Sequence, residues 1–360
     1  MRINFFSIIF FISGLLTIKA NGDSTRVKRI RLIALPVIFH LPETQWGAGV
    51  AGIIRFRQKS EPDSMRYSNV TFAFSDTQLN QIVFSTPFQF WLNHEKYNVY
   101  GEFGFQSENY LFFGIGNHIP SNFQERYHLH VPRLRVSVLQ RIYAHLYAGL
   151  IYSIENTTLI NLLDTGMLIK GTIPGSKGGL VSGAGGTLKY DNRDNQFYAT
   201  KGYYVELFVL ANSKITGSDY NFNKYSLNVS TYKALPLRQV LAFNAYALVN
   251  QNDVPFYQMA MLGGDTRMRG MYNGRYRDKN CWILQAEYRV ELFWKLGAAV
   301  FGGIGDVAPR INQFDLKNTR STYGGGIRLL IDKKQHLNLR FDAGISNKTL
   351  NYYFTIAEAF

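Results

Sequence analysis

Residues Gln285-Ala286-Glu287-Tyr288-Arg289-Val290-Glu291-Leu292 place polar or charged side chains on one parity and Ala, Tyr, Val and Leu on the other. A strand built from them carries charge on one face and grease on the other. The same alternation recurs in His336-Leu337-Asn338-Leu339-Arg340-Phe341-Asp342-Ala343 and from Asn223 to Tyr232. In a soluble sandwich the apolar face would be a core; in a membrane barrel it meets lipid and the polar face lines the lumen.

Segmenting the chain outward from these stretches predicts sixteen strands, near 33–40, 46–57, 65–76, 79–91, 96–106, 127–140, 143–154, 180–191, 202–212, 223–234, 238–249, 282–293, 296–305, 321–331, 335–345 and 351–360. The even number suits an all-β, antiparallel transmembrane barrel of the bacterial outer-membrane type. Connections alternate in length. Those at 58–64, 92–95, 141–142, 235–237, 294–295 and 332–334 are short, with 192–201 intermediate, whereas 107–126, 155–179, 213–222, 250–281 and 306–320 are longer, with 41–45, 77–78 and 346–350 as short members of that second set. Short periplasmic turns and long external loops sort by parity in this way.

Composition agrees. The 360 residues include 27 Phe, 23 Tyr and 4 Trp, with only 18% charged residues, which excludes a disordered chain. A single cysteine, Cys281, excludes an intrachain disulfide framework and a multi-cysteine metal site. Residues 1–20 have the basic start, apolar run and small residues of a secretory signal peptide, with cleavage expected near 20–22. The run is shorter than a membrane helix needs, and no later stretch is long and apolar enough for a helical span. Strands and loops take up 33–360, leaving no space for a soluble domain of ~50 residues.

The 39 Lys and Arg against 25 Asp and Glu give +14, and removing Arg2 and Lys19 with the leader leaves 37 − 25 = +12. In an exported barrel that charge suits phosphorylated lipopolysaccharide and outer-membrane lipid; it is no argument for nucleic acid. The seven histidines have no metal-ligand spacing on a helix, and no serine nucleophile motif is recognisable. His128 and His130 share a strand face, where a lumen-facing polar pair is the favoured reading. No cofactor, metal or catalytic residue is expected. Gly178-Gly179 to Gly185-Gly186 and Gly324-Gly325-Gly326 lack the Lys-Ser/Thr of a phosphate loop and read as small residues at curved strand positions.

Three stretches carry more. The long loop 250–281 contains Gly263-Gly264-Asp265-Thr266-Arg267-Met268-Arg269-Gly270-Met271-Tyr272 and leads into Gln285-Ala286-Glu287-Tyr288-Arg289. Upstream lies Tyr190-Asp191-Asn192-Arg193-Asp194, and the chain closes on Tyr353 to Phe360. These resemble the Omp85 superfamily, whose signature loop carries Val/Ile-Arg-Gly-Phe/Tyr, and most of all its short, barrel-only BamA/TamA-like or surface-antigen members without POTRA repeats. Two departures stand out: Met271 occupies the aromatic position, with Tyr272 one place later, and Gly303 stands where larger members place an acid, with Asp306 at the opposite parity.

The resemblance implies a non-enzymatic barrel of outer-membrane biogenesis, with assembly components or client proteins as partners; a passive diffusion channel is the competing reading, on the strength of Arg289, Arg328 and Arg340. It also implies that the signature loop folds into the lumen. There Arg269 would need a carboxylate, with Glu287 first and Glu291 second, and Gly270 would permit close approach to the wall. Asp191, Arg193 and Asp194 would pair locally and fix a turn, and Phe360 would end the last strand as the assembly signal. Pro36 lacks an N–H and would weaken the seam between first and last strands.

Overall fold

The computed structural model describes residues 16–18, 27–41, 45–58, 61–62, 65–120, 122–160, 162, 166–333, 335–347 and 349–360. Most of the leader, including the expected cleavage region, lies outside the described residues. Sixteen long strands follow one another antiparallel: β1 (Val27–Leu41), β2 (Gln45–Gln58), β3 (Ser68–Thr77), β4 (Ile82–Leu92), β5 (Tyr97–Phe112), β6 (Glu125–Tyr143), β7 (Leu146–Ile160) and β8 (Gly179–Asp191) form the first half. The second half comprises β9 (Gly202–Asn212), β10 (Phe222–Leu235), β11 (Gln239–Asn252), β12 (Asn280–Glu291), β13 (Leu296–Ala308), β14 (Arg320–Asp332), β15 (Leu337–Ser346) and β16 (Thr349–Ile356).

Alternation sets the two faces. On β12, Gln285, Glu287 and Arg289 are buried in the lumen, while Leu284 points outward with 48% of its surface exposed. Leu150, Val300 and Tyr323 are likewise outward and exposed, so the apolar parity forms the lipid-facing surface. Register keeps the alternation coherent between neighbours. Glu287 of β12 stands opposite Ala242 of β11 and Phe301 of β13. A slip of one residue would turn the charges toward lipid.

Side chains bring the two ends of the sheet together. Asp332 of β14 pairs with Arg55 of β2 and lies 3.2 Å from Arg31 of β1. Ile33 and Ile53 form a small core with Leu337, Ile356 and Phe197. At the seam, the described ladders place residues 16–18 beside β1, with Leu16 opposite Ala34. Pro36 lies within β1, opposite Val50, rather than at the strand's start.

Three expectations are corrected. β1 begins at Val27, earlier than 33, which carries Arg31 to Asp332. β5, β6 and β7 run beyond the expected 106, 140 and 154. At the long-loop ends of β5 and β7 lipid no longer imposes apolar alternation, so a polar run such as Ser107-Glu108-Asn109 stays in the ladder, with Ser107 and Asn109 also hydrogen-bonded to His128 across the strand pair. β6 is longer at its other end, where its ladder with β7 runs to Tyr143 opposite Leu146. The last strand stops at Ile356 rather than running to Phe360. Ala357 takes φ +69°, a left-handed conformation that breaks the strand and turns 357–360 inward.

This topology sorts the loops to opposite ends of the barrel, and the expected orientation puts the long ones outside. Cys281 is buried, so introduced cysteines would report without background. Cysteine at Lys170 or Lys317 should label on intact cells, and cysteine at His94 or Leu237 only after the outer membrane is permeabilised. Labelling of position 170 solely from the periplasmic side would overturn the orientation.

Candidate functional site in the lumen

The connection between β11 and β12 does not project away. It forms a short antiparallel hairpin, Ala260–Leu262 against Tyr276–Asp278, and the segment at its tip descends into the barrel. Met268, Arg269, Gly270 and Met271 are all buried. Met268, with φ +49°, donates its amide to Gln285 Oε1 at 2.8 Å and joins Leu248, Leu262, Met271, Ile283 and Val307 in an apolar cluster. Met271 therefore fills a core site where the family pattern has an aromatic. Tyr272 faces the opposite wall, where its hydroxyl accepts from the Leu111 amide at 3.1 Å and its ring meets Phe113 edge-on.

Gly270 lies directly against β15. Its φ is +109°, and a Cβ added there would come 2.5 Å from the Ile345 amide nitrogen. The wall answers with Gly344, whose own added Cβ would sit 2.7 Å from the Arg269 carbonyl. Two glycines thus let backbone meet backbone. The contact is hydrogen-bonded as well: Gly270 donates to Tyr353 Oη at 2.9 Å and accepts from Asn351 Nδ2 at 2.7 Å.

Arg269 is 1% exposed and anchors the loop through two carboxylates from different strands. Its Nη2 donates to Glu287 of β12, and its Nη1 donates to Asp342 of β15 at 2.6 Å. The guanidinium also lies 3.6 Å from the centroid of Phe301, a cation–π contact in a desolvated setting. Arg340 holds the descending side of the loop, donating to the Asp265 carbonyl at 2.9 Å.

The sequence reading places Glu291 among the partners, and the structure corrects this. Glu291 lies at the periplasmic end of β12, 3.6 Å from Arg238 and 3.4 Å from His336. That imidazole stacks on Tyr198 at 3.9 Å, and burial lowers its pKa although Glu291 pulls it the other way. Asp342 is the partner the reading missed. Its parity marks it as lumen-facing, but alternation alone does not say which lumen residues meet across the barrel. Asp306 takes no part in the anchor: it accepts from Asn117 Nδ2 at 2.5 Å in the external cap.

Asp191 and Arg193 form a two-pronged pair at 2.9 and 3.0 Å in the β8–β9 turn, with Arg66 3.6 Å away. Asp194 accepts from Thr200 Oγ1 at 2.6 Å, closing the same turn. Phe360 lines the lumen and packs on Ala199, Tyr232 and Ala242. His128 is satisfied by Ser107 and Asn109, each at 3.0 Å, and is not arranged with His130 as a chelate.

A space of about 460 Å³ remains beneath the loop, lined among others by Lys189, Arg193, Tyr204, Arg267 and Phe360. Above the loop the external connections interlock. Gly116 donates to the Arg277 carbonyl at 2.7 Å, and buried Glu125 accepts the amides of Met167 and Leu168 at 2.7 and 3.2 Å. Phe112, Tyr127, Leu168, Val254 and Phe256 form an apolar core under that cap. What the arrangement does is hold a loop across a lumen.

A strand-built outer-membrane barrel with a loop locked across its lumen is the class defined by this geometry. The Omp85 superfamily domain matches residues 68–360, and the chain belongs to that superfamily. Among solved structures it is similar to BamA from Haemophilus ducreyi lacking POTRA domains 1–3, at 11% identity and TM-score 0.57, over 96% of this chain and 74% of that one. CdiB from Acinetobacter baumannii aligns at 11% identity and TM-score 0.58, over 91% of this chain and 59% of that one. For CdiB from Escherichia coli the values are 12% and 0.61, over 96% of this chain and 67% of that one. At these identities the likeness is one of fold. No curated protein sequence matches.

The anchor predicts unequal effects of its single substitutions. Removing Arg269 leaves Glu287 still paired with Arg289 and leaves Asp342 paired with Arg328. Removing Glu287 takes away the carboxylate that Arg269, Arg289 and Arg328 share and leaves Arg289 only the Glu358 carboxylate at 3.9 Å. Buried positive charge then goes under-compensated, and breaking such a buried pair typically costs about 3–5 kcal/mol. Glu287→Ala should therefore lower the heat-modifiability midpoint more than Arg269→Ala, while both expose residues 262–275 to protease. Exchanging the two charges should restore little, since a glutamate at position 269 would face Asp342. Protease resistance equal to wild type in both single variants would remove the anchor.

Proposed function

We propose that this barrel serves outer-membrane biogenesis, inserting or translocating protein or lipid-linked clients without enzymatic turnover. The observation that carries the proposal is the loop itself, fastened by Arg269 to Glu287 and Asp342 on opposite flanks of β13 and β14. A fixed obstruction built from buried charge suits a path that is closed at rest and opened by an event. In this reading the leader is removed near 20–22, and the barrel resides in the bacterial outer membrane among lipid and lipopolysaccharide. Its partners are assembly components or client proteins, with no cofactor and no nucleic acid. Phe360 serves recognition during the barrel's own assembly, before 357–360 turn inward.

The seam adds to the proposal. Residues 16–18, which pair with 32–34 of β1, belong to the proposed leader. Their removal leaves backbone donors and acceptors of β1 open to a client strand, and added strands gain affinity through main-chain hydrogen bonds. Pro36 shortens the ladder available there.

A passive channel is the second reading, favoured by the basic and amide-lined space beneath the loop. The two readings part on conductance. The purified barrel in planar bilayers should show small or unsteady currents, and deletion of 262–278 should give a larger, stable pore. A large, steady wild-type conductance would favour the passive channel. Depletion followed by quantitative outer-membrane proteomics should lower a defined set of envelope proteins, and an unchanged proteome would count against biogenesis.

A further inference from the structure

The segment after the last strand is tied to the same charges as the external loop. Beyond Ile356 the chain crosses beneath the lumen: Ala357 donates its amide to the Asn338 carbonyl at 2.9 Å, and Glu358 donates its amide to the Phe197 carbonyl at 3.3 Å. The Glu358 carboxylate accepts from Arg328 Nε at 2.9 Å and from Asn338 Nδ2 at 3.0 Å. Arg289 lies 3.9 Å from that carboxylate and donates from Nη2 to the Phe360 carbonyl oxygen at 2.9 Å.

Following the ion pairs outward from Glu358 gives a closed circuit. Arg289 reaches Glu287 at 2.6 Å, and Glu287 takes Arg269. Arg269 also holds Asp342 at 2.6 Å, Asp342 holds Arg328 at 2.6 Å, and Arg328 returns to Glu358. The six members alternate in sign. One comes from the external loop, one from the segment below the barrel and four from the wall strands β12, β14 and β15. All are nearly inaccessible to water.

We propose that Glu358 is a positioning residue for the external loop: residues 357–360 form a latch on the periplasmic side, and the loop at 266–272 and this latch are released together. The physical ground is charge balance in a low-dielectric lumen. Withdrawing Glu358 leaves Arg289 and Arg328 competing for Glu287 and Asp342, the two carboxylates that hold Arg269, so the attraction available to the loop falls. Withdrawing Arg269 leaves Glu287 and Asp342 to draw Arg289 and Arg328 away from Glu358, so the latch weakens in turn. Coupling of this kind is reciprocal by thermodynamic necessity. An event that pulls on the periplasmic end would thereby loosen a loop on the far side that it never touches. The inference goes beyond the biogenesis reading and does not depend on it.

Hydrogen exchange measured by mass spectrometry on the full chain in detergent tests this. Glu358→Gln keeps the size of the side chain and removes its charge, and peptides covering 266–272 should exchange about 10-fold faster or more than in the wild type. Glu95→Gln serves as the control; Glu95 lies in the β4–β5 turn, where it accepts the Arg66 amide at 2.8 Å, outside the circuit. That variant should leave the loop at its wild-type rate. Arg269→Gln, which removes the charge, should reciprocally speed exchange in 357–360.

Acceleration confined to the segment carrying each substitution, with the other at its wild-type rate, overturns the proposal. Should a variant fail to fold, the wild type decides. Under mild denaturant, a coupled latch and loop open with one free energy and one denaturant dependence. Opening of the loop at lower free energy than the latch, with a separate dependence, overturns the proposal equally.

Discussion

The lumen of this barrel must accommodate guanidinium groups out of water, and much of the architecture answers that requirement. Arg269, Arg289, Arg328 and Arg340 are each 3% exposed or less, and Glu287, Asp342 and Glu358 lie among them. An isolated buried charge is strongly destabilising, whereas a paired and hydrogen-bonded one is tolerated. Such a cluster adds less net stability than its number of contacts suggests, because desolvation offsets the attraction. What it supplies is location: a loop carrying Arg269 has one place in the lumen where its charge is neutralised on both sides.

That location is refined by shape. Gly270 against Gly344 brings main chain to main chain, and Phe301 closes over the guanidinium. Any side chain at Gly270 would collide with the backbone of β15, so the Arg-Gly pair works as a unit, the arginine setting where the loop sits and the glycine how near. The tip of the loop is packed by methionines, Met268 and Met271, flexible side chains that fill irregular space between loop and wall. The aromatic expected by family resemblance at position 271 is supplied one residue later, and Tyr272 serves the opposite wall.

Much of this was legible in the sequence, for a definite reason. Lipid on one side and charge on the other impose a period of two, so the lumen-facing parity of Gln285, Glu287 and Arg289 can be read from the residues alone. Loop-length parity then orients the barrel. What alternation lacks is azimuth. Strands are tilted and staggered, so Asp342, separated from Arg269 by 73 positions, meets it in space with no local signature. Parity likewise groups Glu291 with Glu287, although the four-residue step between their positions carries Glu291 along β12 to the rim. The inward turn after Ile356 was equally hidden, since Ala357 is an ordinary residue in an unusual conformation and the apolar ending reads as more strand.

The external cap has a consequence for anything that meets the cell from outside. Gly116 fastens loop 113–120 to the 253–279 connection, the Phe256 amide fastens that connection to Pro174 of loop 166–178, and Glu125 holds that loop to β6. The Phe112–Phe256 core underlies them, so the surface they offer is one composite relief and not a set of separate tethers. A phage fibre or an antibody that grips this face must match parts of three distant stretches at once. A linear peptide copied from any one of them would reproduce neither the shape nor the charge of the whole.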